Sequence, residues 1–515
     1  MNTFLARFGS LVSFVLSGFD RLRFRGESRR LNNARGLDTY LFQEKIRYVD
    51  FWDHCKGLTE KMREGSEQLA RERGVPIKHL NSPKTDKEAT ARDLAASHPC
   101  SHPSGQIALL TSVESCNSYQ CRRNADKRIY PVKEPTRCRH DYHYFQHPQL
   151  GLCYVRIQTY FPFTVRVGLN GRQWLYQQLR NLGVEFRHLD NLLVSVKDPA
   201  IAQALLDAQV KTDYVQLLDT LVQPIQPLWQ YLQDVHTPYY WTCEQSEWAN
   251  DFLFRKPEEL AHWYPRWVRH GILTLQCQDV LRFLGRTRMP RSPEEVKIDL
   301  APRVESTRLK FWVGVNSLKF YDKENLAFRP EHTVNQPGKY KAFRTAENDT
   351  EGKPSWRPLR KGVADMAWRA EIGQAVNNRL LESLATVTDS HTLGELLKPL
   401  GEPVIHEGKR RARALNPLTG QDGDLIRLLT QGKFLVEGFR NVDLREAWFG
   451  ASTEPAEQRR QAAKITRLLG LMRAHGLINK VPKSNSYHLS PLGRRIATAL
   501  QAAHDSDINR LTKAA

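Results

Sequence analysis

Between residues 106 and 169 the sequence alternates with a period of two. IALLTSVESC, RIYPV, GLCYVRIQTY and FTVRVGL are β-branched and aromatic runs punctuated by glycine and proline, as expected of strands whose two faces meet different surroundings. The last run passes through Asn170-Gly171 into RQWLYQQLRNLG, a helix stopped by Gly183, and VEFRHLDNLLVSV returns as two strands across a short polar turn. Helices inserted irregularly among strands predict an α+β core with an antiparallel sheet, not a doubly wound one. Neither a Gly-x-Gly-x-x-Gly nor a Gly-x-x-x-x-Gly-Lys run is present, so the usual nucleotide-binding signatures have no support.

The flanks read differently. MNTFLARFGSLVSFVLSGF is apolar but broken by Arg7, Gly9 and several serines, and reads as a packed helix. LDTYLFQEKIRYVDFWDHCKGLTEKMREGSEQLARERG carries apolar residues at helical intervals. With the Pro- and Ser-rich loop that follows, residues 1–105 form a helical N-terminal region, 106–345 the α+β core, and 346–415 a helix and a basic linker, HEGKRRARALNP. Residues 416–502 form a C-terminal domain and 503–515 a tail. Residues 200–290 read as mostly helical and dense in aromatics. The start lacks a basic leader and a small-residue cleavage site, and no segment approaches the ~18 uninterrupted apolar residues of a membrane span. A cytoplasmic protein with reduced thiols is expected.

Charge points to the partner. In 515 residues, 76 Lys and Arg face 56 Asp and Glu, a net +20. Such a surplus suits a polyanion: nucleic acid first, an anionic membrane surface second. The clearest local pattern lies in DLIRLLTQGKF, NVDLREAWFG and PAEQRRQAAKITRLLGLMRAHGLINKVPKSNSYHLSPLGRRIATALQAA, three helices, a two-stranded ribbon and a final helix. Ile465, Leu468, Leu469 and Met472 make a core-facing stripe, and Arg460, Lys464 and Arg467 a cationic row on the other side. This arrangement resembles the winged helix-turn-helix domain, whose third helix enters the major groove and whose wing touches the backbone. The resemblance implies DNA in preference to RNA, with Arg473, Lys480 and Lys483 adding contacts.

Three further clusters carry chemistry. Cys116, Cys121, Cys138, His140 and His143, with Cys100 nearby, offer thiolate and imidazole ligands for a structural zinc, or are buried thiols and surface histidines. Tyr239 and Tyr240 precede Glu244, Glu247 and Asp251, which on a helix share one face. They would hold a divalent cation beside a phenol able to attack a phosphodiester, or form the acidic outer face of an ordinary helix. Arg266 and Arg269 interleave with Tyr264, Trp263 and Trp267, a surface for single-stranded bases or a buried aromatic core.

The stretch GVNSLKFYDKENLAFRPEHTV, residues 314–334, reads as two strands about a polar turn. Its register decides its chemistry. A four-residue turn sets Glu331 opposite Ser317, on the face of Lys319 and Tyr321. A two-residue turn sets it opposite Leu318, on the face of Asn316 and Asp322, a metal-like carboxylate cluster. Pro330 cannot donate to a ladder, which predicts an edge strand or a bulge. Lys319-Phe-Tyr321-Asp322-Lys323 followed by Arg329-Pro330-Glu331 resembles the lysine–tyrosine–aspartate–lysine hairpin of rolling-circle replication-initiation proteins. That resemblance implies a nicking domain dependent on Mg²⁺ or Mn²⁺, with Tyr321, Glu331, Lys319 and one of Tyr239 or Tyr240 as catalytic candidates and Asp322, Glu331, Glu247 and Asp251 as metal candidates. The chain as a whole resembles uncharacterised bacterial proteins of mobile-element character.

Overall fold

The computed structural model describes residues 1–506 except 100–101, 124, 126, 128, 287–295, 304–305, 347–351, 388–392, 407–409, 432, 435–437 and 482–483. Two units make up the chain: residues 1–261, 283–285 and 294–381, and residues 262–282, 286–293 and 382–515.

The first unit is built on a single large sheet. Its strands are β1 (Val12–Ser28), β2 (Ile77–Leu80), β3 (Gln106–Arg123), β4 (Ile129–His147), β5 (Gly151–Gln158) and β6 (Val165–Asn170). A separate hairpin of β7 (Phe186–Leu189) and β8 (Leu192–Val196) follows. The sheet resumes with β9 (Tyr239–Phe254), β10 (Val296–Pro302), β11 (Thr307–Val313), β12 (Asn316–Lys323) and β13 (Ala327–Val334). The order across the sheet is β10-β11-β12-β13-β9-β1-β6-β5-β4-β3-β2. Only β2 and β3 pair in parallel among the described strands. The α+β class with a mostly antiparallel sheet is therefore as the alternation predicts.

Helices cover both faces of this sheet. On one, Phe19, Leu22 and Phe24 of β1, with Val155 and Val167, join the main core. Leu37 and Leu41 of the helix Ala34–Gln43, Met62 of Phe51–Glu72 and Leu218 of Tyr214–Val222 complete it. On the other, Leu175 and Leu179 of the helix Gly171–Asn181 and Leu206 of Pro199–Val210 pack with Leu16. Further across that face, Ala91 of the helix Lys87–Ser97 packs with Ala108, Leu110, Tyr142 and Tyr144.

Three sequence expectations are corrected. The apolar start is helical only over Asn2–Phe8, and Val12–Ser28 is a central strand. Helices cover both faces of that strand before residue 20, so its apolar run does not alternate and reads like a buried helix. Residues 239–254 are likewise a strand, β9, with every residue from Ser246 to Phe254 buried. Finally, Pro330 lies in an interior strand, since β13 pairs with both β12 and β9. The pairing to β9 skips Arg329 and Pro330 and resumes at Glu331 in the same register, so the missing N–H costs a gap and no bulge.

In the second unit the helix Pro455–Ala474 buries Ile465, Leu468, Leu469 and Met472 among Leu425, Leu444, Ile478, Leu489 and Ile496. Phe439–Arg440, Ser486–Leu489 and Ile478–Lys480 form a three-stranded sheet in that order; the first strand precedes the helix Asn441–Phe449 in the chain, and the other two lie between Pro455–Ala474 and Pro491–His504.

Phe19 is fully buried and meets the Trp248 ring edge-on at 5.1 Å. Phe19→Ala is expected to destabilise the first unit by ~3–5 kcal/mol, read as a lowered urea midpoint with an unchanged m-value.

Candidate functional site

The site begins with one extra residue. β1 and β9 pair Phe19 with Trp248 and then Leu22 with Ser246, so Asp20 and Arg21 together stand opposite the single residue Glu247. A bulge of this kind re-aims side chains that strict alternation would send to opposite faces. Before it, Leu16 and Gly18 face the helix Pro199–Val210; after it, Leu22 and Phe24 face the main core and Arg21 and Arg23 are exposed on the other side.

The hairpin supplies the rest. β12 and β13 are joined by Glu324, Asn325 and Leu326, with positive φ at Glu324 and Asn325, and Lys319 is paired with Glu331. Neither register derived from the sequence has this pairing, but the face that results carries Lys319, Tyr321 and Glu331. Lys319 Nζ lies 2.6 Å from Oε1 of Glu331, and the Tyr321 hydroxyl donates to its Oε2 at 3.0 Å. One carboxylate oxygen each from Asp20, Glu247 and Glu331 lies within 4.8 Å of the others. All three residues are buried, with exposures of 3%, 7% and 0%.

Buried carboxylates need cations. Fully buried Arg329 grips Asp251 through Nε and through Nη2 at 3.0 Å, donates from Nη2 to the Asn191 carbonyl at 2.8 Å, and reaches Asp20 at 3.5 Å. Arg172 adds a 2.9 Å ion pair to Asp251. Asn191, in the two-residue turn between β7 and β8, donates to both oxygens of Asp20 at 3.0 and 3.2 Å. Burial works against the Asp20 anion, but Arg329, Arg172, Arg21 and Lys319 outweigh it and hold its pKa below the usual carboxylate range. At Glu247 the nearby cations, Lys319 and Arg21, do not prevail. Burial, then the charge of Glu331, pushes it up to about 8, while Gln245 donates to its Oε1 at 2.6 Å. Burial, then Glu331, also pushes the Tyr321 phenol well above its ordinary value. Three hard oxygen donors brought this close suit Mg²⁺ or Mn²⁺.

The other sequence candidates fall elsewhere. Asp322 alternates to the far side of β12, opposite Phe328, and does not join Glu331. Asp251 shares the face of Glu247 because they are four residues apart on a strand, but it is the counter-ion of Arg329 and Arg172, outside the three-carboxylate group. Tyr239 is half-buried, donates to the Phe163 carbonyl at 2.8 Å and accepts from Gln226. Tyr240 lies under Arg29, 3.3 Å from its ring centre. Both are at the opposite end of β9, roughly 23–27 Å of strand from Glu247. Asp20 was missed because its segment reads as a helix; the run Arg21-Leu22-Arg23-Phe24-Arg25, with cations and apolar residues alternating, is the signal that a strand passes here.

Among the proposed zinc ligands, Cys116 and Cys138 approach to 3.3 Å and His140 lies 4.0 Å from Cys138, but His143 contacts Gln106 and Cys121 faces the Tyr48 carbonyl. Among the described residues they do not converge on one point; Cys100 lies outside those residues. In the second unit the cationic row is partly neutralised: Arg460 pairs with Glu457 at 3.0 Å, and Lys464 lies over the rings of Trp448 and Phe449. Arg467 and Lys480 are exposed. Arg473 lies in the last turn of the same helix, and Lys483 is outside the described residues. Arg266 and Arg269 are exposed on a helix that buries Tyr264 and Trp267, leaving Trp263 half-buried. No protein-family model, curated protein or solved structure matches the chain.

Glu247 has its ordinary value, 4.5, in the unfolded chain and about 8 in the folded one. Its contribution to stability is therefore full below pH 4.5 and is lost as pH rises to about 8. In EDTA, the wild type should lose stability relative to Glu247→Gln across that interval, by a few kcal/mol. Parallel melting temperatures from pH 5 to 8.5 would contradict the assignment.

Proposed function

We propose that the chain is a metal-dependent enzyme that nicks and rejoins single-stranded DNA in the manner of a mobile-element initiator, acting in the cytoplasm. The observation that carries this reading is Glu331, which accepts a hydrogen bond from the Tyr321 hydroxyl and stands among the carboxylates of Asp20 and Glu247. These three carboxylates would hold Mg²⁺ or Mn²⁺, whose charge, when bound, polarises the scissile phosphate.

The chain's own residues supply the rest. Tyr321 is kept protonated by burial, and its proton passes to the carboxylate that already accepts its hydrogen bond. As the phenolic oxygen bonds to phosphorus, the bond from phosphorus to the 3′ oxygen breaks, and that oxygen takes a proton from water and leaves as a hydroxyl. The DNA remains joined to the tyrosine through its 5′ phosphate; attack by a 3′ hydroxyl reverses the step. Lys319 orients Glu331, and Arg329 holds Asp251 and Asp20 in place. The resemblance of the second unit to a winged helix assigns it site recognition, with Arg467 and Lys480 on the DNA-facing side.

A non-catalytic DNA- or RNA-binding protein is the second reading. It is favoured by the low exposure of Tyr321, 5%, and the ion pair of Glu331, which a purely structural network would also display.

Incubation of the full chain with a labelled single-stranded pool and Mg²⁺ or Mn²⁺ separates them. A covalent adduct is expected, absent in Tyr321→Phe, reduced at least ~100-fold in Glu331→Gln, and retained in Tyr239→Phe and Tyr240→Phe. Intact DNA with both metals, or an undiminished adduct in Tyr321→Phe, overturns the nicking mechanism.

A further inference from the structure

Beyond the bulge, the face bearing the carboxylates opens into a groove between the Asp190-Asn191 turn and the helix Lys87–Ser97. Its floor is set by cross-strand register. One rung runs Arg23, Gly168, Tyr154, Tyr144 across β1, β6, β5 and β4, and the rung beside it begins Arg21, Asn170. Gly168 makes the first rung possible: a Cβ there would stand 2.1 Å from Cε1 of Tyr154, so the ring lies across β6 where a side chain would be. Tyr144 flanks it at 5.6 Å and 33°. Tyr154 is half-buried, with part of its surface in the groove.

The charges on this face divide into two groups. Arg25 and Arg166 pair with Glu244 at 3.6 and 3.0 Å, and Arg156 pairs with Glu114 at 3.1 Å. The groove's own acids are also matched: Glu88 pairs with Arg92 at 2.8 Å and Asp190 with Lys323 at 3.3 Å. Arg21 and Arg23 are exposed in the groove and have no ion-pair partner among the described residues. They lie two residues apart on one strand, about 6.7 Å, and Arg21 borders the carboxylate group.

We infer that this groove is the track along which single-stranded DNA reaches the carboxylates, with Arg21 and Arg23 holding consecutive backbone phosphates and Tyr154 stacking on a base. The inference rests on the proposed chemistry for its choice of DNA. An aromatic floor between cations suits a single strand, whose bases are free to stack; a duplex keeps its base faces covered. Two exposed cations outside any ion pair, of which Arg21 also feels the field of Glu247 and Asp20, divide the work, since the phosphates pair with the arginines and only the scissile one approaches the carboxylates.

The test is fluorescence anisotropy of the full chain with a labelled single-stranded oligonucleotide in EDTA, where cleavage cannot intervene. Arg21→Ala with Arg23→Ala should weaken binding at least ~10-fold and reduce the slope of log affinity against log salt by about 1.4. Tyr154→Leu should weaken it about 10-fold, and Tyr154→Phe should restore it. Arg25→Ala, whose charge is already paired, should bind as wild type, and duplex binding should be unchanged in every variant. Unaltered single-strand affinity in both the double arginine variant and Tyr154→Leu overturns the track, even if Tyr321→Phe still abolishes the adduct. The expected losses without any adduct from the wild type leave the track standing and remove the nicking reaction. Equal losses for duplex and single strand refute the stacking role.

Discussion

One additional residue in β1 governs the geometry of the first unit's polar centre. Strict pairing of β1 with β9 would send Asp20 and Arg21 to opposite faces of the sheet. The bulge gives Glu247 two neighbours instead of one, placing a buried acid and an exposed base on the same side. β1 is also the strand on which both helical layers pack, through Leu16 on one face and Phe19, Leu22 and Phe24 on the other. The bulge is thus clamped by two cores, and the positions of its side chains follow from packing on both sides.

Clamping acids inside a core creates an electrostatic problem that the neighbouring residues solve only in part. Asp20, Glu247, Asp251 and Glu331 are buried together, against Arg172, Arg329 and the less buried Lys319. Arg329 matters most because its planar fork serves Asp251 with two nitrogens while a third approaches Asp20. Removing it would leave two buried carboxylates short of a partner, a larger penalty than the loss of one ion pair. Glu247 has a glutamine as its hydrogen-bond donor, and burial with the charge of Glu331 outweighs Lys319, so near neutral pH it keeps a proton. A carboxyl in that state ionises when positive charge arrives, which is the behaviour the proposed cation site requires.

How much of this is legible in the sequence depends on solvent. β5 and β6 have one face in the core and one half-exposed, so GLCYVRIQ and VRVGLN alternate and announce themselves as strands. The hairpin β12–β13 is legible because its turn is polar, and Lys319, Tyr321 and Glu331 emerge as neighbours from it. β9 and the first half of β1 are covered on both faces, and there the period vanishes, so Glu247 and Asp251 read as a helical pair and Asp20 is overlooked. The remaining gap is tertiary: nothing local brings Asn191 to Asp20, 171 residues away, or Arg172 to Asp251, 79 residues away (251 − 172), or specifies a bulge.

The same face shows why counting cations is a poor guide to binding. Arg21, Arg23, Arg25, Arg156 and Arg166 are equivalent in composition, yet three have carboxylate partners and two do not. The split follows the irregularity of the β1–β9 ladder between Arg23 and Phe24, where Glu244 is the extra residue and is directed toward Arg25 and Arg166. That irregularity restores the register that the Asp20–Arg21 bulge displaced. It also supplies a carboxylate to the rung beyond Arg23 and none to Arg21 or Arg23 themselves. The paired bulges therefore do more than kink a strand: between them they mark off a short segment of β1 where positive charge stays available to solvent, directly beside the place where negative charge is buried.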